Sequence, residues 1–117
     1  VGLYVSILNQ CTYCIDHHNH AGGLAYAGKP EAWSAIADAL MGDRLEEVFG
    51  GKELALLGYV RALTLDPATL TAESIETLRE AGASDGEILE VNQVAGYFAY
   101  ANRVVLGLGV TLDGETR

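Results

Sequence analysis

Cys11-Thr12-Tyr13-Cys14-Ile15-Asp16-His17-His18 is the stretch on which the reading of this chain turns. It holds both cysteines of the sequence and two of its three histidines. An α-helix turns by about 100° per residue. Cys11 to Cys14 is then an i,i+3 step and Cys14 to His18 an i,i+4 step, so the three side chains share one helical face. A dithiol beside an imidazole forms a redox device. The imidazole takes a thiol proton, the thiolate attacks an electrophile, and the second thiol closes a disulfide. The same residue types bind zinc, and Cys11, Cys14 and His18, with His17 or His20, are the candidate ligands. Against zinc stands the lack of any Cys or His after His20, because a structural site normally gathers ligands from two chain segments. His17 reads as a solvent-facing or interface residue, with a second proton carrier as the alternative. His20 falls off the Cys14 face and Asp16 turns away from it.

Outward from this stretch the chain reads as all-helical. Val1–Leu8 is apolar at nearly every position, as in the end of a buried helix, and Asn9-Gln10 interrupts it. The next helix is expected from about Cys11 to about Ala27, weakened by Gly22-Gly23 and stopped by Gly28. Cys11 in its first turn would face the free N–H groups that favour a thiolate. Pro30 suits the opening turn of a helix over Glu31–Met41, with Trp33, Ile36, Ala37 and Leu40 on one face and Gly42-Asp43 as its stop. Arg44–Phe49 is ambiguous. Lys52–Leu65 carries Leu56, Leu57, Val60 and Leu63 at helical spacing, and Gly58 within it marks either a weak point or a close packing contact.

Asp66-Pro67 ends that element, because the residue before proline avoids the α region. Thr71 is placed to cap Ala72–Ala81, with Gly82 as the stop. Ser84-Asp85-Gly86-Glu87 has the capping-box form and opens the longest helix, Asp85 to about Leu106. Ile88, Leu89, Val91, Val94, Ala95, Tyr97, Phe98, Tyr100, Ala101, Val104 and Val105 give it an apolar arc wider than a one-sided surface helix needs. That helix is expected to bury most of the core and to pack in part against another subunit. Arg103 is expected to pair with a carboxylate or reach a helix end, and Asp43, Glu46 and Glu47 to form a solvated acidic surface.

A chain of 117 residues suggests one domain over residues 1–117. The 16 acidic and 7 basic residues leave a formal charge of −9, which disfavours nucleic acid and anionic membrane as partners. No apolar run is long enough to span a bilayer. Two closely spaced cysteines do not make the framework of a secreted mini-protein, so a reducing cytoplasm is the expected compartment. Val1 is a poor natural start, and the chain is read as truncated at its N-terminus.

The motif Cys11-x-x-Cys14-x-x-x-His18 resembles that of the alkylhydroperoxidase D-like proteins of the carboxymuconolactone decarboxylase superfamily. Leu63-Thr64-Leu65-Asp66-Pro67, Leu78-Arg79-Glu80-Ala81-Gly82, Tyr97-Phe98-Ala99-Tyr100-Ala101-Asn102-Arg103 and Leu108-Gly109-Val110-Thr111-Leu112-Asp113 are similar to its peroxidase-related branch. The resemblance implies an all-α helical subunit assembled as a homotrimer or homohexamer. It also implies a thiol-dependent peroxidase working without a bound cofactor. Carried onto this chain, Cys14 would attack the hydroperoxide and become a sulfenic acid, and Cys11 would resolve it as a disulfide. His18 would assist proton transfer, and a dithiol reductant, lipoyl-linked in some family members, would restore the thiols. The family's relay glutamate, twelve residues before the first cysteine, falls upstream of Val1. Tyr13 stands where the family enzyme has a histidine, so the relay here is shorter or differently routed. Two alternatives remain: a lactone decarboxylase-like acid–base enzyme resting on His18 alone, and a non-enzymatic helical oligomer that binds metal or senses redox state.

Overall fold

The computed structural model describes residues 1–113. Six α-helices account for most of them: α1 (Gly2–Leu8), α2 (Thr12–Ala25), α3 (Pro30–Met41), α4 (Gly51–Leu65), α5 (Ala72–Glu80) and α6 (Asp85–Leu108). Short 3-10 turns at Leu45–Glu47 and Pro67–Thr69 link α3 to α4 and α4 to α5. The all-α class read from the sequence is the class found. Among the described residues no helix is long and apolar enough to cross a membrane.

The helix boundaries follow local chemistry. Pro30 occupies the first turn of α3, where its missing N–H costs nothing. Ser84 and Glu87 form the expected reciprocal capping box: Glu87 N–H donates to Ser84 Oγ at 3.1 Å and Ser84 N–H to Glu87 Oε1 at 3.2 Å. Thr71 caps α5 in the same way with Ser74. The second helix differs from expectation at both ends. It begins at Thr12, with Cys11 outside as its N-cap, and it ends at Ala25 rather than Ala27. It continues through Gly22 because a Cβ there would overlap the Trp33 indole, so the glycine lets α2 and α3 approach closely. Gly58, by contrast, faces open space, and α4 runs through it without the close contact considered from sequence.

The centre of the core is α1, which is the shortest of the six. Tyr4 and Val5 are fully buried, and α1 packs against α2, α3, α4 and α6. Leu40, Leu45, Leu57, Val60 and Ala95 close around it. The expectation that α6 buries most of the core is therefore corrected. α6 gives Ala95 to this cluster and Ile88 to a second one with Tyr59, Leu78 and Ala83, while much of its apolar arc faces outward. Asp43, Glu46 and Glu47 are exposed, as read, and Asp43 also has structural partners. Asp43 accepts hydrogen bonds from Tyr4 Oη (3.0 Å) and Arg61 Nη1 (2.9 Å), tying the α3 stop to α1 and α4.

Candidate functional site: the Cys11–Cys14 pair

Cys11 sits in a three-residue joint, Asn9 to Cys11, that stops α1 and starts α2. Gln10 takes a left-handed conformation, φ 56°, and two N–H groups reach back into α1. Gln10 N–H donates to Ile7 O and Cys11 N–H to Ser6 O, each at 3.0 Å. This is the paired left-handed helix stop, in which glycine is the usual left-handed residue. Cys11 thus closes one helix with its N–H and caps the next with its side chain: Cys14 N–H points at Cys11 Sγ from 3.4 Å. The two cysteines are joined as a disulfide with Cα atoms 5.2 Å apart, inside the usual range of roughly 4.4–6.8 Å. Cys11 is 0% exposed and Cys14 6%.

Cys11 stands at the cap itself rather than in the first turn of α2. A sulfur that accepts a backbone N–H at a helix N-terminus is stabilised in its anionic form. Cys14 lies in the first turn and is the less completely buried of the two residues.

His18 lies one turn further along α2, partly buried, with its ring edge-on to Phe98 (centroids 4.4 Å apart, planes at 88°). A Cβ on Gly2 would collide with its imidazole, so the ring is seated between α1 and α6. Burial pushes the His18 pKa below the ordinary histidine value, which favours the neutral ring. No hydrogen bond joins it to either sulfur among the described residues. His18 also forms part of the wall of a cavity of about 670 Å³, with Trp33, Phe49, Leu56 and Leu57, and neither cysteine lines that cavity.

His17 is exposed and stacks on Tyr13 with centroids 4.4 Å apart, and His20 and Asp16 are exposed. Among the described residues no group of three or more His, Cys, Asp and Glu side chains is arranged to hold a metal ion. Among the described residues Arg103 reaches no carboxylate; its Nη1 donates to the Ala99 carbonyl one turn back.

Sequence reading gave Asn102 no role of its own. It is 1% exposed, and its amide is fully engaged with the end of α1. Asn102 Nδ2 donates to Ser6 Oγ (3.1 Å), and its Oδ1 accepts from Asn9 Nδ2 (3.0 Å). Ser6 Oγ in turn donates to Gly2 O at 2.8 Å. The available signal was an amide within the apolar C-terminal half of α6, which, when buried, must find partners or cost about 1–3 kcal/mol.

A disulfide-bonded Cys-x-x-Cys at a helix N-terminus, flanked by an imidazole on an all-helical scaffold, defines a redox dithiol protein. No protein-family model and no curated protein sequence matches this chain. Among solved structures it is similar to an uncharacterized peroxidase-related protein from Silicibacter sp. TM1040, with a TM-score of 0.76 and 25% sequence identity. The match covers 91% of this chain and 53% of that one, so this chain spans about half the length of that protein. The likeness agrees with the resemblance of the motif to the alkylhydroperoxidase D-like proteins and their peroxidase-related branch.

Proposed function

We propose that this protein is a thiol-dependent peroxidase. The observation that carries the reading is the Cys11–Cys14 pair at bonding distance on the N-terminus of α2, within a fold similar to that of a peroxidase-related protein. Cys14, the less completely buried residue of the pair, attacks the outer oxygen of a hydroperoxide. The products are a Cys14 sulfenic acid and an alcohol. Cys11 then attacks the sulfenic sulfur, forming the disulfide and releasing water. His18, neutral and one turn away, accepts the Cys14 proton.

The asymmetry of the pair also suits its reduction. An external dithiol reaches the Cys14 sulfur first and expels Cys11, whose thiolate is stabilised by the Cys14 N–H. A leaving thiol of lower pKa departs faster. The second thiol of the reductant then releases Cys14, and the reductant leaves as its own disulfide.

The subunits associate through α6 as a homotrimer or homohexamer, in keeping with the cytoplasmic setting expected of a reducible pair. Leu89, Tyr97, Tyr100 and Leu108 lie 58–67% exposed along one side of that helix, and contiguous exposed apolar side chains mark interaction surfaces. Sedimentation of the protein against Tyr100→Glu tests this; a monomer in both would overturn it.

The decisive experiment adds one equivalent of an organic hydroperoxide to the reduced protein and follows both thiols by mass spectrometry. Rapid Cys11–Cys14 disulfide formation, with sulfenic acid trapped on Cys14 in Cys11→Ser, is expected. Thiols that oxidise no faster than free cysteine would overturn the reading.

A further inference from the structure

Asn102 belongs to α6, yet every polar atom of its side chain is spent on the last residues of α1, just before the redox pair. It holds Ser6 and Asn9. Ser6 supplies the carbonyl that fixes the Cys11 N–H, and Asn9 is the residue at which α1 stops. Between Asn9 and Cys11 stands Gln10 in a left-handed conformation that residues with side chains disfavour. Such a turn persists when its surroundings hold it. Here the holding group comes from a helix more than ninety positions away in sequence, and it is nine-tenths buried or more.

We propose that Asn102 is a positioning residue for the redox pair: by clamping the end of α1 it fixes the Cys11 sulfur where Cys14 can bond it. The inference rests on the pair being redox-active and adds the residue that sets its poise. The chemistry is thiol–disulfide exchange. The protein dithiol reacts with oxidised glutathione to give the protein disulfide and two reduced glutathione molecules, two electrons and two protons passing to the glutathione. A joint already ordered in the dithiol form loses little freedom when the sulfurs join. A joint released from its clamp loses more, so the equilibrium moves toward the dithiol.

The test is the equilibrium constant for this exchange, measured in graded glutathione buffers for the wild type, Asn102→Ala, Asn9→Ala and Asn92→Ala. Asn92 is the control. It lies on the same helix and donates to Tyr59 Oη at 2.6 Å, a partly buried bond with no link to the α1 end. Asn102→Ala is expected to lower the constant about tenfold, the equivalent of one buried hydrogen-bonded tie. Asn9→Ala keeps the buried amide and is expected to lower it about threefold; it decides the matter if Asn102→Ala does not fold. Asn92→Ala should lose thermal stability without moving the constant. Unchanged constants in both clamp variants, or an equal shift in Asn92→Ala, would overturn the inference and reduce Asn102 to a general stabiliser. If the wild-type pair forms no disulfide in any buffer, the redox reading itself falls, and this inference with it.

Discussion

Between α5 and α6 the chain stops one helix and starts the next within four residues, Ala81 to Ser84, and between α1 and α2 it does so within three, Asn9 to Cys11. Both joints use the same backbone plan. At the first, Gly82 takes the left-handed position (φ 101°) and Ala83 N–H reaches back to Leu78 O. At the second, Gln10 takes it (φ 56°) and Cys11 N–H reaches back to Ser6 O. The α5–α6 joint gives each task to the residue best suited to it: glycine turns, Ser84 caps, and Glu87 completes the box and pairs with Lys52 at 2.8 Å. The α1–α2 joint makes one cysteine do two of these tasks and puts a side-chain-bearing residue where glycine is cheapest. Local stability is given up so that a sulfur stands at a helix N-terminus, and the loss is offset from a distance by Asn102.

The comparison breaks most visibly in activity. Cys14→Ser is expected to reduce hydroperoxide turnover by on the order of a thousandfold or more, as loss of a nucleophile does. Ser84→Ala, at the other joint, should leave turnover within about twofold; a coupled assay following reductant oxidation separates the two. If both variants fall together, the joints do not divide labour as described.

Stability sharpens it further. Gly82→Ala places a Cβ in the left-handed region and is expected to cost about 1–2 kcal/mol in urea denaturation. Ser84→Ala removes a cap worth about 1 kcal/mol. Gln10→Gly should act in the opposite direction and stabilise the fold by about 0.5 kcal/mol, because relief of the left-handed backbone exceeds the added freedom of the unfolded chain. A destabilised Gln10→Gly would mean that the glutamine side chain contributes something beyond the turn.

The smallest effect is the dependence on pH at the cysteine joint's neighbour. Burial lowers the His18 pKa in the fold, below the value of about 6.5 of an unfolded chain. The fold therefore favours the neutral ring. That contribution is complete above the unfolded value and is lost as the pH falls through the lowered one. Urea midpoints measured between pH 7.5 and pH 5 should fall on acidification, and His18→Phe should flatten the decline.

The two joints also differ in how readily the sequence reveals them. Ser84, Glu87, Gly82 and Pro30 announce helix ends through local chemistry that holds in any context, and those ends were legible. The redox motif was legible as a spacing, since i,i+3 and i,i+4 steps need only the helix. The role of Cys11 as a cap was not, because neither cysteine nor a preceding glutamine signals a helix boundary. The partners of Asn102 and Asp43 went unseen for a related reason. Each is polar because of a partner far away in sequence, Ser6 and Asn9 for the one and Tyr4 for the other. Nor does an apolar run reveal whether it lies at the centre. Short α1 does, whereas long α6 shares its apolar arc between the core and the outside.

Trp33, the sole tryptophan, lies over Gly22 and donates its Nε1–H to Asn19 Oδ1 at 3.0 Å, both on the helix that begins at the redox pair. Its indole is therefore a built-in optical probe. Its emission reports whether the redox helix is seated against its neighbour, so that seating can be followed in stopped flow during oxidation and reduction with no label attached.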